Sequence, residues 1–256
     1  MNQAERFAVI LKRHDQRDPL AVAKALAALR KTPLQDQISA AKKGWGIIAQ
    51  DIVAEEANVL VEGLAACGLE SLCLPTASLI QLPPAEPARR FEAALANHLV
   101  LVCAAGITVT STTTKTTQEG PSAAQKILST GILLTTGLPI RIGGKTRAVE
   151  KTQQHSDLAF YLDLLYEQPL RRRRIDAQHF DYAYLKERKL YYVLGNFKQL
   201  VGDLVQSAPE AWRNHGARVL LDNKPMQTMG YESLADMERE TRWLLTHQAR
   251  ETGRSL

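Results

Sequence analysis

The sequence predicts an α+β protein in two parts: a small β-α-α-β-α-β unit over residues 1–75 and a larger mixed α+β part over residues 91–256. Three observations carry this. The length of 256 residues exceeds the ~100–150 residues usual for one domain. Short apolar blocks at residues 7–11, 47–49 and 69–74 alternate with stripes of helical period. Between the two parts, Leu82-Pro83-Pro84-Ala85-Glu86-Pro87 cannot sustain a helix, which predicts an extended, semi-rigid linker over residues 76–90.

Within the first part, Phe7-Ala8-Val9-Ile10-Leu11 is too short for a helix and branched enough for a buried strand. Asp18-Pro19 supplies an N-cap followed by proline at the first helical position. Leu20, Ala23, Leu26, Ala27, Leu29 and Arg30 mark the turns that follow, and Pro33 ends this helix or opens the next, which runs from Leu34 to Gly44. Ile47-Ile48-Ala49 is a second strand. Ala57, Leu60, Val61 and Leu64 stand at i, i+3, i+4 and i+7 on a third helix that Gly68 closes, and residues 69–74 return as a strand.

This order, with the wording FAVIL…AVAKALAALR…GIIAQDIVAEEANVLVEGLAACGLESLCL, resembles the C-terminal domain of the bacterial ribosomal stalk protein. The resemblance covers about a quarter of the chain. It implies a three-stranded sheet with three helices on one face. It also implies a helix pair that offers lysines and apolar residues to protein partners, and Leu20, Ala23 and Lys24 stand where that surface begins. The family's Gly-Leu-Gly-Leu-Lys turn is replaced by Thr32-Pro33-Leu34-Gln35-Asp36.

In the second part, residues 99–105 and 107–117 read as strands, the latter threonine-rich and suited to an exposed strand. Gly120-Pro121-Ser122 opens a helix ending near Gly137, and residues 140–142 and 158–166 are further strands. Gly195-Asn196 begins the clearest helix of the chain, with Phe197, Leu200, Val201, Leu204 and Val205 on one face and Pro209 as its stop. Val219-Leu220-Leu221 reads as a strand. Ser233 caps a last helix, with Asp236 in the capping-box position and Leu234, Met237, Thr241, Leu244 and Leu245 as its stripe. A barrel-like sheet closed by a helix is one arrangement compatible with this order.

No catalytic motif is complete. Gly143-Gly144-Lys145-Thr146 ends like a phosphate-binding loop, but Pro139 stands where that loop needs its first glycine, so a plain glycine turn is expected. The six histidines lie far apart with no ligand spacing, and neither a metal nor a cofactor is expected. Asp176, His179 and Asp181 crowd one short stretch. On a strand, His179 and Asp181 would share a face, which is the place to look for an enzyme site; a hydrogen-bonded polar network is the plainer expectation. Three cysteines without a C-x-x-C pair predict buried thiols in a cytoplasmic protein. Charges at Glu5, Arg6, Lys12 and Arg13 predict no secretory leader, and no run approaches the ~20 apolar residues of a membrane span.

Charge is where composition speaks to function. The chain carries a formal +5. The first 75 residues hold nine basic and nine acidic side chains, whereas residues 170–200 hold eight basic (Arg171, Arg172, Arg173, Arg174, Lys186, Arg188, Lys189 and Lys198) against three acidic. Nine of the fifteen aromatics fall between Phe160 and Phe197, Tyr182 and Tyr184 among them. Arginine forks grip phosphate and carboxylate, and aromatic rings stack on bases. Nucleic acid and an acidic protein partner are both candidates for this segment. A purely structural role would place the aromatics in the core and pair the arginines with acids of neighbouring elements. The favoured expectation is a non-enzymatic interaction protein, with Lys24 on the first part as an additional contact.

Overall fold

The computed structural model describes residues 5–13, 18–92, 97–119, 147–167 and 169–253. The N-terminal elements follow the sequence pattern closely. They are β1 (Phe7–Leu11), α1 (Pro19–Arg30), α2 (Leu34–Lys43), β2 (Ile47–Ile52), α3 (Ala54–Ala66) and β3 (Ser71–Pro75). β1 is the central strand, antiparallel to β2 on one side and to β3 on the other, and Ala8, Val9 and Ile10 are wholly buried on it. Its unbroken apolar run belongs to a strand covered on both faces. Asp18 caps α1 by accepting from the amides of Leu20 (2.9 Å) and Ala21 (3.1 Å). Ala57, Leu60 and Leu64 form the buried stripe of α3.

The remaining elements are β4 (Ala85–Pro87), β5 (Leu99–Glu119), β6 (Arg147–Tyr166), β7 (Arg171–Asp176), α4 (Val193–Ser207), β8 (Trp212–Arg213), α5 (His215–Leu221) and α6 (Leu234–Thr252). The strands form one open sheet in the order β4-β7-β6-β5-β8, so the fold is mixed α+β with two sheets, and among the described residues neither closes into a barrel. The two strands expected at 99–105 and 107–117 are one continuous strand. Val219-Leu220-Leu221 is helical rather than extended: Asn214 caps α5 by accepting from the Ala217 amide at 2.8 Å. The expected helix at 120–137, the strand at 140–142 and the glycine turn at 143–146 lie outside the described residues. Of the thiols only Cys103 is buried; Cys67, at the C-cap of α3, and Cys73, at an outward position of β3, are exposed.

Residues 1–107 and 158–256 form one compact unit, and residues 108–157 another. Within the first unit, α6 is tied to the N-terminal sheet. The Trp243 indole N–H donates to the Leu11 carbonyl at 2.8 Å. Its ring lies where a side chain on Gly46 would stand, 2.0 Å from an added Cβ, and Gly46 adopts φ +91°. The 76–90 segment is itself engaged: Leu79 is buried, the Ile80 amide donates to Thr246 Oγ1 at 3.1 Å, and β4 pairs in parallel with β7.

Candidate functional site

The four arginines of β7 point alternately to the two faces of the sheet, as the two-residue period of a strand requires. Arg172 and Arg174 turn inward to Asp163 of β6, which is fully buried. Asp163 accepts from Arg172 Nε at 2.8 Å and from Arg174 Nε at 2.7 Å and Nη2 at 2.9 Å. Both guanidinium groups also reach Glu238 of α6, at 2.6 and 2.8 Å. Two cations and two carboxylates thus close a cluster of zero net charge joining β6, β7 and α6. Burial alone would push the Glu238 carboxyl up, but the hydrogen bonds from Arg172 and Arg174 outweigh it and hold the group below its ordinary value. Of the other two arginines, Arg171 is exposed and Arg173 stands 3.6 Å from Glu92.

The acid–histidine stretch leaves β7 at Asp176, and His179 stands in the turn that follows, not on a strand. The His179 ring meets Asp176 through Nδ1 at 2.8 Å, while Asp181 accepts from the Ala183 amide at 2.9 Å. The strand-based pairing of His179 with Asp181 is therefore replaced by a three-residue turn contact, with the ring 77% exposed.

Tyr182 and Tyr184 are packing residues. Tyr182 is buried, with its hydroxyl donating to the Ala177 carbonyl at 3.0 Å. Tyr184 stacks on Phe91 with ring centroids 4.3 Å apart and donates to Asp203 at 3.1 Å. Burial pushes both phenols well above the ordinary tyrosine value. Arg188 grips the same Asp203 with both terminal nitrogens, at 3.0 and 2.9 Å. Lys186 and Lys189 are exposed and have no ion pair among the described residues.

An exposed apolar segment, unmarked in the sequence, lies immediately beyond. Every residue from 186 to 193 is exposed, and the last four are apolar: Leu190 at 37%, Tyr191 at 100%, Tyr192 at 46% and Val193 at 40%. This ridge is held rather than loose. The buried side chain of Asn196 accepts from the Leu190 amide at 2.7 Å and donates to its carbonyl at 2.8 Å. The Leu190 side chain and the Tyr192 ring pack over Gly195 so closely that an added Cβ would lie 2.5 Å from each. The Tyr191 and Tyr192 rings meet edge to face, with centroids 5.3 Å apart.

Comparison with known protein families, curated proteins and solved structures finds no match. The chemistry of the residues must therefore speak alone. Among the described residues no group of three His, Cys, Asp or Glu side chains is arranged to hold a metal, and no helix is long and apolar enough to cross a membrane. On the first helix, Leu20 (50% exposed) and Lys24 face solvent one turn apart, but Ala23 is completely buried and cannot contribute to a surface there.

Proposed function

We propose that this is a non-enzymatic interaction protein whose main docking element is the 186–193 ridge. The observation that carries the proposal is the run of four exposed apolar side chains clamped in place by Asn196 and Gly195. Large apolar groups cost free energy when left in water, and a rigid presentation lowers the entropy lost when a partner covers them. Tyrosine is also favoured at the centre of protein interfaces. Lys186 and Lys189 at the edge of the ridge suit a partner whose apolar surface is bordered by acidic groups. Leu20 and Lys24, exposed on the stalk-like unit, form a smaller second contact. Three free thiols support a cytoplasmic setting.

The test is affinity purification from the native cell of the wild-type protein and of the Tyr191→Ser/Tyr192→Ser variant, each with and without nuclease. A stoichiometric protein partner that survives nuclease and is lost with the variant supports the proposal. Recovery of nucleic acid, with all binding abolished by nuclease, would favour a polyanion ligand for the same basic and aromatic segment. Equal recovery by both proteins would remove the ridge from the interface.

A further inference from the structure

We propose that the cleft between α5 and Trp45 is a binding site for a small organic oxyanion, a phosphate or carboxylate group carried on an apolar body. The cleft encloses ~560 Å³, within the range of small-molecule sites. Part of the lining is one face of α5, on which His215, Arg218 and Val219 stand at i, i+3 and i+4, followed by Asp222 at its C-cap. Trp45, Thr228 and Met229 complete the lining, with the Trp45 ring centroid 6.4 Å from that of His215. Three segments distant in sequence thus converge, and together they bring polar and apolar groups to one cleft.

The charge in the cleft selects an anion. Arg218 uses only Nε, in a long contact of 3.4 Å to the Asn214 carbonyl, so its two terminal nitrogens have no protein acceptor among the described residues. The one acid in the lining, Asp222, is matched by Lys224 at 2.9 Å. The remaining positive charge is therefore the Arg218 fork, whose geometry fits a two-oxygen acceptor. His215 adds a second polar contact. Its Nε2 lies 2.8 Å from the Thr228 carbonyl, which can only accept, so this nitrogen carries a proton, and whenever the ring is neutral Nδ1 is its acceptor. A protonated phosphate or the hydroxyl of a ligand body could donate to it. Pro19, half-buried at the start of α1, offers the apolar surface on which the ligand body would rest, above a floor formed by the buried Val219, Met229 and Trp45.

Titration of ¹⁵N-labelled protein with inorganic phosphate, phenyl phosphate and benzoate tests the assignment. Saturable shifts are expected at the amides of Val219, Thr228 and Gly230 with phenyl phosphate, benzoate or both. The stronger of these two identifies the head group, and inorganic phosphate alone should bind more weakly for lack of an apolar body. Arg218→Ala should weaken the better ligand by about tenfold or more, with Arg218→Lys in between. Lys224→Ala, a change at an exposed side chain, leaves the Asp222 carboxylate unmatched at the rim and should weaken binding several-fold even if the Arg218 variants fold poorly. Absence of shifts with all three probes at about 10 mM, where even a Kd in the mM range would be visible, would overturn the proposal. So would wild-type affinity in folded Arg218→Ala, or in Lys224→Ala.

Discussion

Replacing Asp163 with Ala tests whether the β7 arginines are parts of the fold. Arg172 is 5% exposed and Asp163 is at 0%, so the change strands a buried guanidinium that Glu238, itself 37% exposed, only partly compensates. Removing one partner of a buried ion pair costs roughly 3–5 kcal/mol, because the remaining charge keeps its desolvation penalty and loses its attraction. At least three hydrogen bonds of 2.7–2.9 Å go with it. Replacing the pair together, Asp163→Leu with Arg172→Met, removes both charges and leaves Arg174 with Glu238. That double variant should recover most of the loss, since a well-packed apolar pair is often neutral or stabilising relative to a buried ion pair. Urea unfolding of the wild type, Asp163→Ala, Asp163→Leu, Arg172→Met and the double variant gives the loss and, from the last three, the coupling. A loss under about 0.5 kcal/mol for Asp163→Ala, the range of an ordinary surface change, would refute the inward-facing assignment and return Arg172 and Arg174 to the surface.

Further outcomes follow from the same packing. Gly216→Ala would stabilise a free helix by about 1 kcal/mol, but here the new Cβ would lie 1.9 Å from the Ala104 carbonyl oxygen. The melting temperature should therefore fall, by an overpacking cost of about 1–3 kcal/mol, and a rise would contradict the placement of α5 against β5. Trp243→Ala should cost about 3–5 kcal/mol and lower the protection of the N-terminal sheet in hydrogen exchange, because the indole is buried beneath Gly46 and bonded to Leu11. Glu238 is held below its ordinary carboxyl value, so its stabilising effect is present above about pH 4.3 and is lost as pH falls through the lower folded value. The difference in urea midpoint between wild type and Glu238→Gln should accordingly shrink as the pH is taken well below 4.

Local chemistry made the N-terminal elements and the start of the last helix legible. The Asp18-Pro19 cap, the 57-60-64 stripe and the Ser233–Asp236 capping box all act within a few residues, and each is seen in the structure. Helix α5 was missed because seven residues are too few to display a period, and Val219-Leu220-Leu221 taken alone has the composition of a strand. The fate of the arginines needed a third element. Strand alternation shows that two of them share a face, but the charge they meet comes from Asp163 and from Glu238, 66 positions beyond Arg172. One signal was present: Asp163 stands inside the apolar run Leu162–Leu165, where an unpaired acid would be costly. The ridge was illegible for the opposite reason. Four consecutive apolar residues look like core, and only the bonds of Asn196 to the Leu190 backbone turn them outward. The cleft likewise joins segments around residues 45, 218 and 228 that no sequence spacing connects.

The interaction proposal meets its most direct test in photo-crosslinking within the native cell. A benzophenone amino acid would replace Tyr191, and in a parallel strain Glu210, an exposed position away from the ridge. The ridge predicts one discrete protein adduct from position 191, insensitive to nuclease and suppressed when Lys186 and Lys189 are changed to Glu. No adduct at 191, or the same adducts at 191 and 210, would contradict it.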